Sequence, residues 1–170
     1  MTRIKDALGL RGPWQFYFDF VLFPTIAITV IAIDCRSLAW VGLAMCGVLL
    51  FSFLEYWVHR IALHEFFYHG THERHHTHPA EYVVFPIWYT PAFFAGFFFV
   101  LPLPIFAGTV IGYIWFLVWH HILHHFDLSG FNLIRRYAVW HLKHHKMDDC
   151  NFGITLPIWD FMFGTHKPAN

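Results

Sequence analysis

Hydrophobic and polar positions fall into long separate blocks along the chain. Two apolar runs, residues 16–33 and 38–58, come before the first histidine, and only four residues separate them. Each run has the 17 to 25 mostly apolar residues that a membrane-spanning helix requires. The short connection between them predicts an antiparallel helical hairpin.

A second apolar block covers residues 82–119, and prolines interrupt it. Pro102 and Pro104 form the motif L-P-L-P, which should end one helix and turn the chain. We therefore predict two further spans, about 85–101 and 105–123. Both are short for a full bilayer, so they tilt across it or stop partway as a re-entrant hairpin. The pattern predicts an all-α integral membrane protein with about four transmembrane helices.

Four spans place both termini and both polar stretches on the same side of the membrane. Arg36 alone would lie on the opposite side. The remaining cationic residues that share the side of the termini are Arg3, Lys5, Arg11, Arg60, Arg74, Arg135, Arg136, Lys143, Lys146 and Lys167. The positive-inside rule makes that side cytoplasmic. Residues 131–140 mix aromatic and apolar side chains with an Arg pair, which favours a helix at the membrane surface over a polar connector.

Composition agrees with a membrane class, since 57% of the 170 residues are hydrophobic and 13% are charged. The length predicts one domain over residues 1–170. Eleven basic and eleven acidic side chains cancel, which argues against nucleic acid as a partner. Cys35, Cys46 and Cys150 lack the spacing of a disulfide framework or thiolate metal site.

The first apolar run lacks a cleavage pattern, so we expect it to be a retained helix rather than a removed signal peptide. We expect the membrane to be a bacterial inner membrane rather than the endoplasmic reticulum.

The 15 histidines are confined to the polar stretches. None occurs in residues 1–58 or 84–119, whereas seven lie between His59 and His78 and seven between His120 and His145. Their spacings are H-x4-H, H-x2-H-H, H-x3-H and a second H-x2-H-H. Positions i, i+3 and i+4 share a helix face, so two imidazoles at these spacings can reach one metal ion.

Adjacent histidines point in different directions on a helix. At 3.6 residues per turn, His75 and His76 diverge by about 100°, as do His144 and His145, so each pair suits two different ions. His59 and His64 would diverge by about 140° and flank a two-metal centre. Ten histidines occupy these motifs, too many for one ion: His59, His64, His72, His75, His76, His120, His124, His141, His144 and His145.

Two alternatives to a di-metal site remain for such segments, namely adventitious metal binding and a pH-titrating surface. The other five histidines suit outer positions or the surface: His69, His78, His121, His125 and His166. Because ring N–H groups of metal-bound histidines need acceptors, Glu55 and either Asp148 or Asp149 are candidates for supporting the ligands.

Over residues 53–166 the sequence resembles the fatty acid hydroxylase and sterol desaturase superfamily of membrane di-metal oxygenases. The matching segments are E-Y-W-V-H-R-I-A-L-H from Glu55, H-E-R-H-H-T-H-P-A-E from His72, H-H-I-L-H-H from His120, W-H-L-K-H-H from Trp140 and N-F-G-I-T-L-P-I-W-D-F-M-F-G-T from Asn151. The sequence looks closest to the fatty acid 2-hydroxylase branch. It departs from that branch in a short connection between His64 and His72 and in Glu81, where the branch tends to show Asp.

The resemblance implies an O2-dependent enzyme that holds two iron ions in ten histidines and hydroxylates a lipid, with a fatty acyl chain as the expected substrate. Zinc could replace iron in a purified protein. It also implies one ion bound by His59, His72, His75, His141 and His144, and the other by His64, His76, His120, His124 and His145. Electrons would come from a separate ferredoxin, cytochrome b5 or reductase, since we expect no electron-transfer domain within this length.

Alternatives remain on function. Within the enzyme class, the substrate could be a sterol or carotenoid, and desaturation could replace hydroxylation. Outside it, the chain could be a metal transporter or metal-storage protein, which would place histidines or carboxylates within the spans. The predicted span centres contain none, and Asp19 and Glu55 lie near span ends. The oligomeric state is not predicted.

Overall fold

The structure, a computed structural model, describes residues 14–66, 69–82 and 87–169. All regular elements among these residues are helical, as predicted. The helices are α1 (Trp14–Asp34), α2 (Leu38–Trp57), a π-helix (Val58–Phe66), α3 (His69–Thr77), α4 (Tyr89–Val100), α5 (Leu103–His125), α6 (Asn132–His144) and α7 (Ile158–Met162).

Within the described part of the chain, three helical segments are long and apolar enough to cross a membrane: Phe16–Asp34, Leu38–Phe66 and Leu103–His125. The last has 23 residues, so the expectation that the fourth span would be short is wrong: its helix continues past both predicted ends. Helix α4 has only 12 residues, about 18 Å at 1.5 Å per residue. That length is well below the roughly 30 Å of a bilayer core, consistent with the predicted short third span.

Some predictions fall outside the described residues. These are the cationic positions Arg3, Lys5 and Arg11, the start of the third span at Phe85, and the side chain of His69. Contacts within the described part divide it into two compact units. We call residues 14–54 and 87–117 the membrane unit, and residues 55–66, 69–82 and 118–169 the histidine unit.

In the membrane unit, α2 and α5 cross very closely at two glycines. A Cβ atom added at Gly47 would lie 2.8 Å from the Cα of Gly108, and one added at Gly108 would meet the Ala44 main chain. Small residues allow such approach between membrane helices, where van der Waals contact replaces the hydrophobic effect as the source of affinity. Nearby, Phe23 is fully buried, with its ring 4.8 Å from those of Phe94 and Tyr113. These contacts hold α1, α4 and α5 together.

In the histidine unit, α6 separates its faces clearly. Ala138, Trp140, His141 and His144 are buried, whereas Arg135 and Arg136 on the opposite face are exposed. The helix predicted over residues 131–140 is confirmed, and it continues to His144. The buried face carries histidines into the interior of the unit.

Candidate metal centre

The ten histidines of the four motifs lie together in two groups of five. The first histidine group consists of His59, His64, His72, His76 and His144. The second histidine group consists of His75, His120, His124, His141 and His145. Within each group the ligand nitrogens all lie within 4.8 Å of one another, which satisfies the basic requirement for a shared metal ion.

In the first histidine group, the Nε2 atoms point at a common centre. His59 Nε2 lies 3.0 Å from the Nε2 atoms of both His72 and His144. His64 Nε2 is 3.0 Å from that of His72 and 3.2 Å from that of His144. His76 completes the group, with its Nε2 3.1 Å from that of His72.

The second histidine group repeats this arrangement. His120 Nε2 lies 3.2 Å from His75 Nε2 and 3.0 Å from His124 Nε2. His141 Nε2 is 2.9 Å from His124 Nε2 and 3.2 Å from His145 Nε2. Each of the two nitrogen clusters therefore contains residues from three helices and from both H-x2-H-H motifs.

This grouping differs from the division of ligands that the resemblance implied, and helix geometry explains why. In an α-helix, residues i and i+4 diverge by about 40° and residues i and i+3 by about 60° in the opposite sense. The structure accordingly keeps the i, i+4 pairs together, as in His72 with His76 and His141 with His145. It separates the i, i+3 pair of His72 and His75. Adjacent histidines fall in different groups, as predicted.

His59 and His64 also differ from the prediction, because they do not flank the centre. Both belong to the first histidine group. The segment Val58–Phe66 is a π-helix, in which hydrogen bonds join residues i and i+5. Residues five apart then lie about one turn apart on the same face. The H-x4-H spacing, divergent on an α-helix, thus brings both rings into one histidine group.

The spacing of the nitrogens suits metal coordination. Two nitrogens bound at right angles about 2.1 Å from an ion are about 3.0 Å apart, and tetrahedral ligands about 3.4 Å apart. The observed separations of 2.9 to 3.2 Å match right-angle ligands. Imidazole is a common ligand of zinc and iron, and five nitrogens per ion exceed the three or four of typical zinc sites.

Burial keeps the imidazoles outside the spanning segments neutral. It lowers the pKa of His72, His141 and His144 below the ordinary value of histidine, and neighbouring histidines lower each pKa further. The same causes lower the pKa of His75 to about 4 and that of His145 to about 2. Metal binding requires neutral imidazole, so these rings do not need to lose a proton at pH 7.

Main-chain carbonyls fix two rings of the first histidine group. His59 Nδ1 donates to the Phe152 carbonyl at 2.6 Å, and His144 Nδ1 donates to the Cys150 carbonyl at 2.7 Å. With the proton on Nδ1, each Nε2 presents a lone pair to the centre. These hydrogen bonds set both the tautomer and the ring orientation that a metal ligand needs.

Two buried carboxylates hold the loop that supplies these carbonyls. Asp160 accepts hydrogen bonds from the main-chain nitrogens of Phe152 and Gly153, each at 2.8 Å. Glu55 accepts from the Ile154 nitrogen at 2.7 Å and the Thr155 nitrogen at 3.0 Å. The Thr155 hydroxyl also donates to Glu55. Four consecutive main-chain N–H groups are thereby fixed.

Asn151 shapes the start of the same loop. It is fully buried and has a φ of 58°, a left-handed conformation that Asn tolerates better than most residues. Its side-chain nitrogen donates to the carbonyls of Trp140 and Lys167. The sequence does not reveal the role of the loop carbonyls, because every residue has a main-chain carbonyl. The Asn-Phe-Gly motif was the available signal for an unusual turn.

The three acidic residues predicted to support the ligands lie in different settings. Asp148 Oδ1 is 3.0 Å from His76 Nδ1, an electrostatic contact rather than a well-directed hydrogen bond. Asp149 instead pairs with Lys167 at 2.8 Å on the surface. Glu55 touches the loop rather than a ring nitrogen. Of the two adjacent aspartates, only Asp148 therefore contacts a ring of a histidine group, and Asp149 contacts Lys167.

The remaining described histidines lie outside the two groups. The rings of His121 and His125 stack with a centroid separation of 4.5 Å, and Tyr82 stacks on His125 at 5.0 Å. His166 accepts a hydrogen bond from the Trp140 indole at 3.2 Å, and His78 is exposed beside Thr77. These positions agree with the outer roles expected for them.

A family model described as fatty acid hydroxylase matches residues 44–165. The chain belongs to the fatty acid hydroxylase family. This confirms the resemblance drawn from the histidine motifs, and it supports lipid hydroxylation as the activity. The matched residues include all ten histidines of the two groups.

Individual relatives carry related names. The chain is 29% identical to dihydroceramide fatty acyl 2-hydroxylase FAH1 of Arabidopsis thaliana, over 91% of the chain and 80% of that protein. It is 31% identical to FAH2 of the same plant, over 92% of the chain and 81% of that protein. It is 28% identical to mouse fatty acid 2-hydroxylase over 76% of the chain, but this match spans only 40% of the mouse protein.

A solved structure has the same fold. It is described as full-length scs7p with only the hydroxylase domain visible. The similarity has a TM-score of 0.72 at 24% identity and covers 91% of this chain and 67% of that one. The fold assignment as a helical membrane protein of this family is thus supported by both sequence and structure.

Proposed function

We propose that the chain is a membrane-bound monooxygenase that hydroxylates a fatty acyl lipid at a di-iron centre held by its ten grouped histidines. The observation that carries the proposal is the pair of five-nitrogen clusters with adjacent Nε2 atoms 2.9 to 3.2 Å apart. The family match and the plant 2-hydroxylases supply the substrate class. The names of these relatives also favour a fatty acyl chain over a sterol or carotenoid.

The chain's own residues hold and orient the centre. The two groups supply ten neutral imidazoles, and the loop carbonyls of Phe152 and Cys150 fix two of the rings. Two irons bound there would supply the chemistry that activates O2 with two electrons and two protons, converting a C–H bond to C–OH and releasing water.

The substrate and the electrons reach this centre from different sources. The histidine unit begins at Glu55, within a segment able to span the membrane. A lipid would therefore approach laterally from the bilayer with its reactive carbon at the interface. The electrons would come from a ferredoxin, cytochrome b5 or reductase. The distribution of cationic residues supports a cytoplasmic centre, and a bacterial inner membrane is the proposed location.

The metal-transport alternative receives no support from the acidic residues near the ends of α1. Asp19 accepts a hydrogen bond from the Tyr113 hydroxyl at 2.5 Å, and Asp34 accepts one from the Trp40 indole at 2.7 Å. Both carboxylates thus have partners within the membrane unit. A transport pathway would require polar groups available to an ion inside the spans.

Oxygen labelling tests the proposed reaction. Cells that express the chain together with a competent reductase are grown under ¹⁸O2, and their lipids are analysed by mass spectrometry. We expect hydroxylated acyl chains with one ¹⁸O atom, absent from cells expressing His145→Ala. An unchanged lipid profile despite correct membrane insertion and a loaded metal centre would reject the hydroxylase proposal.

A further inference from the structure

The two histidine groups are similar in nitrogen geometry but differ in what lies behind their rings. In the first group, the Nδ1 atoms of His59 and His144 donate hydrogen bonds to the carbonyls of Phe152 and Cys150, and the Nδ1 atom of His76 lies beside the Asp148 carboxylate. The two carbonyl hydrogen bonds are short, at 2.6 and 2.7 Å. An acceptor behind a ligating ring fixes its orientation and increases the basicity of Nε2.

Two rings of the second group lack such support. The Nδ1 atoms of His124 and His141 are buried and have no hydrogen-bond partner among the described residues. A buried donor without a partner carries a desolvation cost. The rings of His124 and His141 are consequently less well fixed, and no acceptor behind them increases the basicity of their Nε2 atoms.

We infer that the two metal positions are inequivalent, with the first histidine group binding its ion more tightly and Asp148 contributing to that difference. This inference rests on the proposed function, because it assumes that the ten histidines bind metal. The negative charge of Asp148 lies 3.0 Å from His76 Nδ1, on the side of the ring away from the ion. It stabilises positive charge that a bound cation transfers to the imidazole.

The chain offers a matched control for Asp148. Asp149 is the next residue and is also an exposed carboxylate, but its partner among the described residues is Lys167. Asp148→Asn and Asp149→Asn remove the same charge from the same surface turn. Only the first removes a negative charge from behind a ligand. Both positions are exposed, so neither change should prevent folding.

The test measures zinc binding to the metal-free full-length chain in lipid nanodiscs, by competition with a chromophoric chelator. We expect two binding events in the wild type whose Kd values differ at least tenfold. Changing a partner behind a ligand typically lowers metal affinity by about 10- to 100-fold. Asp148→Asn should therefore weaken the tighter event by about tenfold, and Asp149→Asn should leave both events unchanged.

Two ligand variants assign the events to the groups. His64→Ala should remove the tighter event, and His124→Ala should remove the weaker one. A single class of two equal sites would overturn the inference, as would equal effects of Asp148→Asn and Asp149→Asn. The reverse assignment of the two events would also overturn it. Failure of the wild type to bind zinc at all would instead reject the proposed di-metal centre.

Discussion

His59 donates a hydrogen bond from Nδ1 to the carbonyl of Phe152 at 2.6 Å, across 93 positions of sequence. The histidine follows the end of α2, and the carbonyl belongs to the loop that Glu55 and Asp160 hold. A ring of the first histidine group is thereby oriented by a loop far from it in sequence. Changes in that loop should disturb the first histidine group without altering any ligand.

Asp160→Asn tests the dependence on the loop. The substitution replaces one carboxylate oxygen by an NH2 group, which donates and does not accept. The main-chain N–H of either Phe152 or Gly153 would then lose its acceptor while remaining buried. We expect destabilisation of about 1–3 kcal/mol, the cost of an unsatisfied buried donor. A lower Tm in detergent and reduced metal retention should follow. Asp149→Asn is the control, and an equal Tm for the two variants would contradict the proposed role of Asp160.

Gly47→Ala tests the close helix crossing in the membrane unit. The added Cβ would overlap the α5 main chain near Gly108, so we expect a lower Tm and a smaller folded fraction. Gly42→Ala is the matched control on the same helix, since an added Cβ there meets nothing within 4 Å. The control should be neutral or slightly stabilising, given the poor helix propensity of Gly. Equal tolerance of both changes would show that the crossing is looser than described.

Acid should destabilise the metal-free protein. The pKa of His75 falls to about 4 and that of His145 to about 2 in the folded state, whereas unfolded histidine has a pKa of about 6.5. Below pH 6.5 the unfolded chain therefore binds more protons, and stability decreases as pH falls toward 4. Thermal unfolding of the metal-free protein at pH 7.5 and pH 5 measures this effect. A Tm that rises on acidification would be inconsistent with neutral buried histidines.

Helix α7 should touch lipid. Phe161 and Met162 are 61% and 64% exposed, and the neighbouring Phe163 ring lies 5.0 Å from that of Trp57, at the end of α2. Trp and Tyr are enriched at membrane–water interfaces, so we expect Trp57 to mark that interface. A photo-crosslinking amino acid at position 162 should label phospholipid, and one at the exposed Lys146 should not. Crosslinking from position 162 only to a water-soluble reagent, and not to phospholipid, would place α7 in the aqueous phase.

Periodicity and composition predicted much of this architecture. Apolar runs predicted the three helices in the described part of the chain that are long enough to span a membrane. The proline motif at residues 101–104 overlaps the start of α5, which begins two residues before the predicted position 105. Helical spacing also predicted that His75 and His76 would separate, as they do. These features depend on local sequence, so a single sequence was sufficient for them.

The geometry that required tertiary structure was not predicted. The π-helix places His59 and His64 in one group, although their spacing on an α-helix separates them. A π-helix depends on the packing of its segment and has no dependable sequence signal. The acceptors behind His59 and His144 are main-chain carbonyls, which no side-chain motif reveals. Asp148 and Asp149 were equivalent candidates until their different partners were seen.

The most direct test of the two five-histidine groups is the number of metal ions per chain. Protein expressed in iron-replete cells and purified anaerobically should contain close to two transition-metal ions per chain by mass spectrometry, with iron predominating when zinc is excluded. A content below one ion per chain, in protein that is folded and inserted in membrane, would contradict the di-metal account.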